Sequence, residues 1–134
     1  MIIEQIYSNN QSHTAYYIES DGEAAVIDPF IDADLCLKKA KTNKACIKYV
    51  FGTHFNANNY DGQFNLAAKT GATVILGPNT KPNFKTRIAL DGSVFKLGDI
   101  IIKFLQIPGP VSERIAFLLI DKDGHQQAIF QPKE

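Results

Sequence analysis

Short apolar runs alternate with polar punctuation from one end of the chain to the other. Ile2–Ile6 reads as a strand, and Thr14–Glu19 and Glu23–Ile27 read as two more. The last two are joined through Asp21-Gly22, a dipeptide suited to a tight hairpin. The period then changes. Ala33, Cys36, Leu37 and Ala40 fall at i, i+3, i+4 and i+7, which predicts a helix opening on Asp32 as N-cap. Lys38, Lys39 and Lys41 occupy its wet side and its C-terminal end, where the helix dipole favours cations. Ile47–Phe51 is a short strand. A second helix is predicted over 60–70, with Tyr60, Phe64, Ala67 and Ala68 on one face and Gly71 as its stop. Ala72–Leu76 has the composition of a buried strand. Residues 78–90 contain Pro78 and Pro82 and show no clean period, so they are expected to form a loop with one helical turn. Ile100–Gln106, Arg114–Ile120 and Gln126–Phe130 complete the set, the last two joined by Asp121-Lys122-Asp123-Gly124. This order predicts an α/β (α+β) domain, a mixed sheet with helices on one face.

Composition narrows the possibilities. The 134 residues are 45% apolar and 21% charged, which suits one globular domain and excludes a disordered or collagen-like chain. Fourteen basic residues balance fourteen acidic ones, leaving no net charge to hold the chain on nucleic acid or an anionic membrane. The longest apolar run, Ile115–Ile120, is far below the ~20 residues that span a bilayer. The opening Met1-Ile2-Ile3-Glu4 places an acid where a secretory signal carries basic residues, so a cytoplasmic protein is expected. Cys36 and Cys46 are too few for a disulfide scaffold and are not spaced as CxxC; both are expected to be small buried residues. No GxGxxG, GxxxxGK[ST] or GxSxG is present, so nucleotide binding and serine hydrolysis lack support.

The richest segment runs Tyr49-Val50-Phe51-Gly52-Thr53-His54-Phe55-Asn56-Ala57-Asn58-Asn59-Tyr60-Asp61-Gly62. It resembles the metallo-β-lactamase superfamily, whose signature there is T-H-x-H-x-D-H-x-x-G. Other pieces agree in order and spacing. Ala25-Val26-Ile27-Asp28-Pro29 resembles the family's early strand ending in an acid, and Thr70-Gly71-Ala72 to Gly77-Pro78 follows the second helix. Asp91-Gly92 to Leu97-Gly98-Asp99 matches D-G-x-x-F-x-L-G-D, Ile107-Pro108-Gly109-Pro110 sits at T-P-G-H, and Ala128-Ile129-Phe130 precedes the place for T-G-D. The branch most resembled is that of glyoxalase II and the rhodanese-linked persulfide dioxygenases. The resemblance implies a partial αββα sandwich, with residues 1–134 forming a single truncated domain. It also implies one or two metal ions (zinc, iron or manganese) held by histidine and aspartate.

The ligand positions depart from that pattern. By the resemblance, His54 retains the first ligand, Asn56 replaces a histidine, Asn58 an aspartate and Asn59 a histidine. Pro110 replaces the histidine of T-P-G-H, and Lys133 stands for the bridging aspartate. Carboxamides are weak donors to zinc or iron, proline offers no side-chain donor, and a lysine brings positive charge toward a dication. Without the ion, no bound water is brought toward a pKa of about 7. A metal-free, non-catalytic protein with no cofactor is therefore expected, in a binding or interaction role. The alternative is a metal-dependent hydrolase of glyoxalase II type, or a persulfide dioxygenase, with zinc or iron ligands supplied from elsewhere. A structural subunit lending its sheet to a longer partner is a third possibility.

The asparagines are expected to pair with one another and to cap the second helix through Asn58 or Asn59. His54 is read as a hydrogen-bonded remnant, with a general base near Asp28 or Asp61 as the functional option. His13 and His125 are expected to be exposed; the separations of the three histidines match no local zinc pattern. Ser112-Glu113-Arg114 reads as surface. The resemblance further implies an uncovered apolar sheet face, through which two copies would associate as a homodimer.

Overall fold

The computed structural model describes residues 1–7, 14–29, 34–52, 61–76, 86–107 and 114–130. Two sheets form. The first has six strands in the order β1 (Ile2–Tyr7), β2 (Thr14–Ser20), β3 (Glu23–Ile27), β4 (Cys46–Phe51), β5 (Thr73–Leu76) and β6 (Thr86–Ile88). β1, β2 and β3 are antiparallel, and β3 to β6 run parallel. The crossovers carry α1 (Asp34–Thr42) and α2 (Asp61–Thr70). The second sheet is antiparallel, in the order β10 (Gln126–Phe130), β9 (Arg114–Ile120), β8 (Ile100–Ile107) and β7 (Val94–Leu97).

Local chemistry explains the turns. Asp21 and Gly22 both take positive φ, 47° and 79°, as a type I′ hairpin requires. α1 ends through Lys44 at φ 56°, while the Ala45 N–H returns to the Ala40 carbonyl at 2.8 Å. α2 ends on Gly71 at φ 77°, whose N–H reaches the Ala67 carbonyl at 2.8 Å.

The core has two layers. On one face of the first sheet, Tyr17, Val26, Val50 and Val74 pack under the helices with Cys36, Ala40, Leu66 and Ala67. On the other face, Ile18, Ile27, Phe51 and Ile75 meet Phe95, Ile102, Phe104, Phe117 and Phe130 of the second sheet. Phe51 is fully buried at this junction, with ring centroids 4.8 Å from Phe117, 5.5 Å from Phe95 and 5.8 Å from Tyr49.

Four expectations need correction. β6 lies within the stretch 78–90 read as a loop; two prolines conceal a three-residue alternation too short to register. β7 was absent from the predicted strands because four residues carry only two inward positions, Phe95 and Leu97. α2 buries Leu66 and Ala67 while Ala68 is exposed, because the larger leucine gains more by leaving water. Cys46 is exposed at the start of β4, whereas Cys36 is buried as expected. Lys38 and Lys41 are exposed, and Lys39 pairs with Glu4. Asp32, Ala33 and Tyr60 lie outside the described residues, and the Phe64 side chain is likewise not described.

A polar clasp ties the sheets together at one edge. The Gly98 N–H donates to Glu23 Oε1 at 2.7 Å, the buried Ser20 hydroxyl donates to Asp99, and the Asp99 N–H returns to Ser20 Oγ at 3.2 Å. Lys48 lies 3.4 Å from Glu23 and also reaches the Lys96 carbonyl. A Cβ at Gly98 would overlap the Ser20 carbonyl, and Gly98 has φ 58°. Gly92 also has positive φ, but a Cβ there meets nothing within 4 Å. Gly92→Ala should therefore cost about 1–2 kcal/mol of backbone strain alone. Gly98→Ala should cost clearly more, as read from urea denaturation midpoints. Phe51→Ala should lower stability by about 3–5 kcal/mol in the same measurement.

Candidate functional site

The sheet topology brings the ends of several strands to one edge. β3 and β4 finish side by side, where the Asp28 N–H donates to the Phe51 carbonyl at 2.9 Å. β5 and β6 end beside them, with Leu76 opposite Ile88 and the Ala89 N–H on the Leu76 carbonyl at 2.8 Å. The C-terminal edge of parallel strands is where ligands bind in open α/β sheets. The Ser20–Asp99 clasp fixes the β7–β8 turn at the opposite edge. β8 and β9 consequently present Ile107 and Arg114 at the Asp28 edge. β10 finishes there too: the Phe130 ring lies 4.7 Å from that of Tyr16, which pairs with Ile27.

From these ends the chain continues into 53–60, 108–113 and 131–134. These segments carry every residue the resemblance assigns to the metal site: His54, Asn56, Asn58, Asn59, Pro110 and Lys133 all lie outside the described residues. His13, Ser112 and Glu113 do as well, and of Asp61 and Arg114 only the backbone is described. What the structure establishes is that the three segments depart from one edge of the sandwich, next to Asp28, Pro29 and Gly52, all buried. Asp28 has φ 54°, a conformation that costs energy for most side chains and that Asp tolerates better than most.

The Asp91–Asp99 motif has a structural role. Asp91 Oδ1 accepts the Gln106 N–H at 2.8 Å, and the Gly92 N–H donates to the Phe104 carbonyl at 2.8 Å. Phe95 and Leu97 point into the core, and Gly98 and Asp99 form the clasp.

Among the described residues one other constellation has metal-ligating chemistry, and sequence reasoning passed over it. Side-chain ligand atoms of Asp121, Asp123 and His125 lie within 4.8 Å of one another in the β9–β10 hairpin. The signal was the D-x-D-x-H spacing inside a stretch read only as a turn. Asp121 Oδ1 accepts the N–H groups of Asp123 and His125, each at 2.9 Å, and Oδ2 accepts the Gln127 amide at 2.6 Å. These bonds hold its carboxyl below the usual carboxylate range, the His125 N–H contributing most. The side chain closes the hairpin. His125 is 76% exposed, as expected. β9 separates this hairpin from the Asp28 edge by about 20 Å at ~3.4 Å per residue.

Burial pushes the Cys36 thiol up to about 11, so it stays protonated at neutral pH. A cavity of about 470 Å³ beside β1 and α1 is lined by Glu4, Gln5, Ile6, Leu35 and Lys39, whose two charges pair with each other.

Two stacked sheets, with two helices covering the outer face of the first, define a partial metallo-β-lactamase sandwich. No family model matches the chain. A metallo-β-lactamase from Staphylococcus aureus superposes with a TM-score of 0.83 at 27% identity, covering 97% of this chain and 42% of that one. ETHE1 from Myxococcus xanthus gives a TM-score of 0.76 at 25% identity, over 89% of this chain and 54% of that one. A hydroxyacylglutathione hydrolase from Methylococcus capsulatus is 29% identical over 102 residues, 75% of this chain. The chain spans 40% of that relative's length. It is a member of the metallo-β-lactamase superfamily, related to the hydroxyacylglutathione hydrolase (glyoxalase II) and ETHE1 proteins. No described helix is long and apolar enough to cross a membrane.

The clasp makes a pH prediction. The Gly98 N–H foremost, with Lys48 assisting, holds the Glu23 carboxyl below its usual range; the Ser20 hydroxyl does the same for Asp99. Groups with depressed folded pKa values contribute stability above their unfolded value, near pH 4, and lose it as pH falls through the folded value. Denaturation midpoints should therefore drop below about pH 4. The drop should be shallower in a Glu23→Gln/Asp99→Asn double variant.

Proposed function

We propose that this chain is a metal-free, non-catalytic relative of the hydroxyacylglutathione hydrolases, acting by binding rather than by hydrolysis or oxygenation. The carrying observation is the donor set at the positions matching the family's metal ligands: one imidazole, three carboxamides, a proline and a lysine. That set does not fit zinc, iron or manganese, which take imidazole, thiolate or carboxylate donors. His54 alone leaves any such ion short of ligands. The Asp121–Asp123–His125 group supplies no replacement, because it sits at the far end of β9 and its central carboxylate already accepts three hydrogen bonds. A cytoplasmic setting belongs to the same reading.

The second reading is a metal-dependent thioester hydrolase or persulfide dioxygenase whose missing ligands are supplied from elsewhere. The retained His54 and the activity for which its hydroxyacylglutathione hydrolase relative is named favour it.

Metal analysis separates the two. The protein, expressed with added zinc, iron or manganese and freed of loosely held ions, should carry well under one metal per chain and leave a hydroxyacylglutathione thioester uncleaved. A full equivalent of metal that His54→Ala removes would establish the second reading.

A further inference from the structure

Each sheet ends in two edge strands, and three of the four carry a device against further pairing. β6 has three residues and bears the exposed Arg87. β7 has four residues and bears Lys96. β10 breaks register between Gln126 and Ala128. Short length, basic side chains and bulges are means by which natural sheets keep their edges from joining other strands. β1 has none of them. It runs six residues in unbroken register with β2 and contains no proline, lysine or arginine. Ile2 is 38% exposed and Ile3 40%, and Leu35 of the neighbouring α1 is 60% exposed.

The chemistry of β1 selects the occupant. Ile2, Glu4 and Ile6 alternate onto the helix side, where Glu4 pairs with Lys39 and Ile6 packs on the layer under the helices. Glu4 and Ile6 also line, with Leu35 and Lys39, the cavity of about 470 Å³ between β1 and α1. Opposite residues of an antiparallel pair share a face. A twofold axis through Glu4 therefore sets Ile2 of each copy opposite Ile6 of the other, at the rim of that cavity. Each Glu4 brings its own Lys39, so two carboxylates and two ammoniums meet about the axis with no net charge. β1 is in this way complementary to itself. The connecting stretches of these 134 residues are committed elsewhere. Residues 8–13 join Tyr7 to Thr14, which face each other across the β1–β2 pair, and the later connections link elements from β2 onward. Stacking two copies through the outer face of the second sheet is less favourable. Lys103 opposite Val94 and Lys96 opposite Ile101 would lose water there.

We infer that two copies of this chain join β1 to β1, antiparallel about Glu4, merging their six-stranded sheets into one continuous sheet. The interface is independent of the donor set at the metal-ligand positions. Light scattering of the full chain at low micromolar concentration should give twice the 14.9 kDa of one chain. Ile2→Lys, which places a lysine on the open edge, should give a monomer with an unchanged circular dichroism spectrum. Glu4→Lys sets four cations about the axis and should raise the dimer dissociation constant at least about tenfold. The exchange Glu4→Lys/Lys39→Glu should restore the dimer, an outcome that a merely misfolded variant would not give. Ile129→Lys, on the outer face of the second sheet, should leave the mass unchanged. A monomeric full chain, a dimer indifferent to Ile2→Lys, or failure of the charge exchange to restore it overturns the inference. So does a dimer that Ile129→Lys converts to monomer, since the copies would then meet through the other sheet.

Discussion

The packing of one sheet against the other around Phe51 is the interaction on which the rest of this structure depends. Phe51 ends β4 and reaches across to Phe95 and Phe117, while its carbonyl accepts the N–H of Asp28 at the end of β3. One residue thus joins the two sheets and aligns the strand ends from which the motif segment leaves. The clasp of Ser20, Glu23, Gly98 and Asp99 fixes the opposite edge. With apolar contact at the junction and directed hydrogen bonds at the far edge, the sheets have little freedom to slide or rotate.

This division separates scaffold from chemistry. The motif residues Asp91, Gly92, Gly98 and Asp99 serve turns and sheet contacts, so nothing in their roles requires a metal. The ligand positions belong to segments beyond the strand ends. A sequence can therefore exchange His and Asp for Asn, Pro and Lys at those positions while the sheets keep their contacts. The familial scaffold and the altered donor set are compatible for that reason.

Much of the fold was legible in the sequence because its periodicities are local. The Asp21-Gly22 hairpin, the Cys36–Ala40 stripe of α1 and the Gly71 stop of α2 each follow from chemistry within a few residues, and each is observed. β6 and β7 escaped because three or four residues carry too few alternations, and their pairing is decided by neighbours far along the chain. The buried face of α2 was misplaced by about one position, since tertiary contact with β4 and β5 selects Leu66 over Ala68. The ligand positions were legible only through resemblance: a lone histidine followed by asparagines carries no coordination pattern of its own. The Asp121 group was passed over because a turn-forming aspartate and a metal-binding one look alike without geometry.

The order of strands has a consequence for biogenesis. Every strand of the six-stranded sheet comes from residues 2–88 and every strand of the other from 94–130. On a ribosome synthesising from the N-terminus, the first sheet is complete in sequence while its partner is still to be made. Its Ile18, Ile27, Phe51 and Ile75 side then faces water with nothing to rest against. Burial of that side waits on the synthesis of β8 and β9, and the layer between the two sheets closes only once they have emerged.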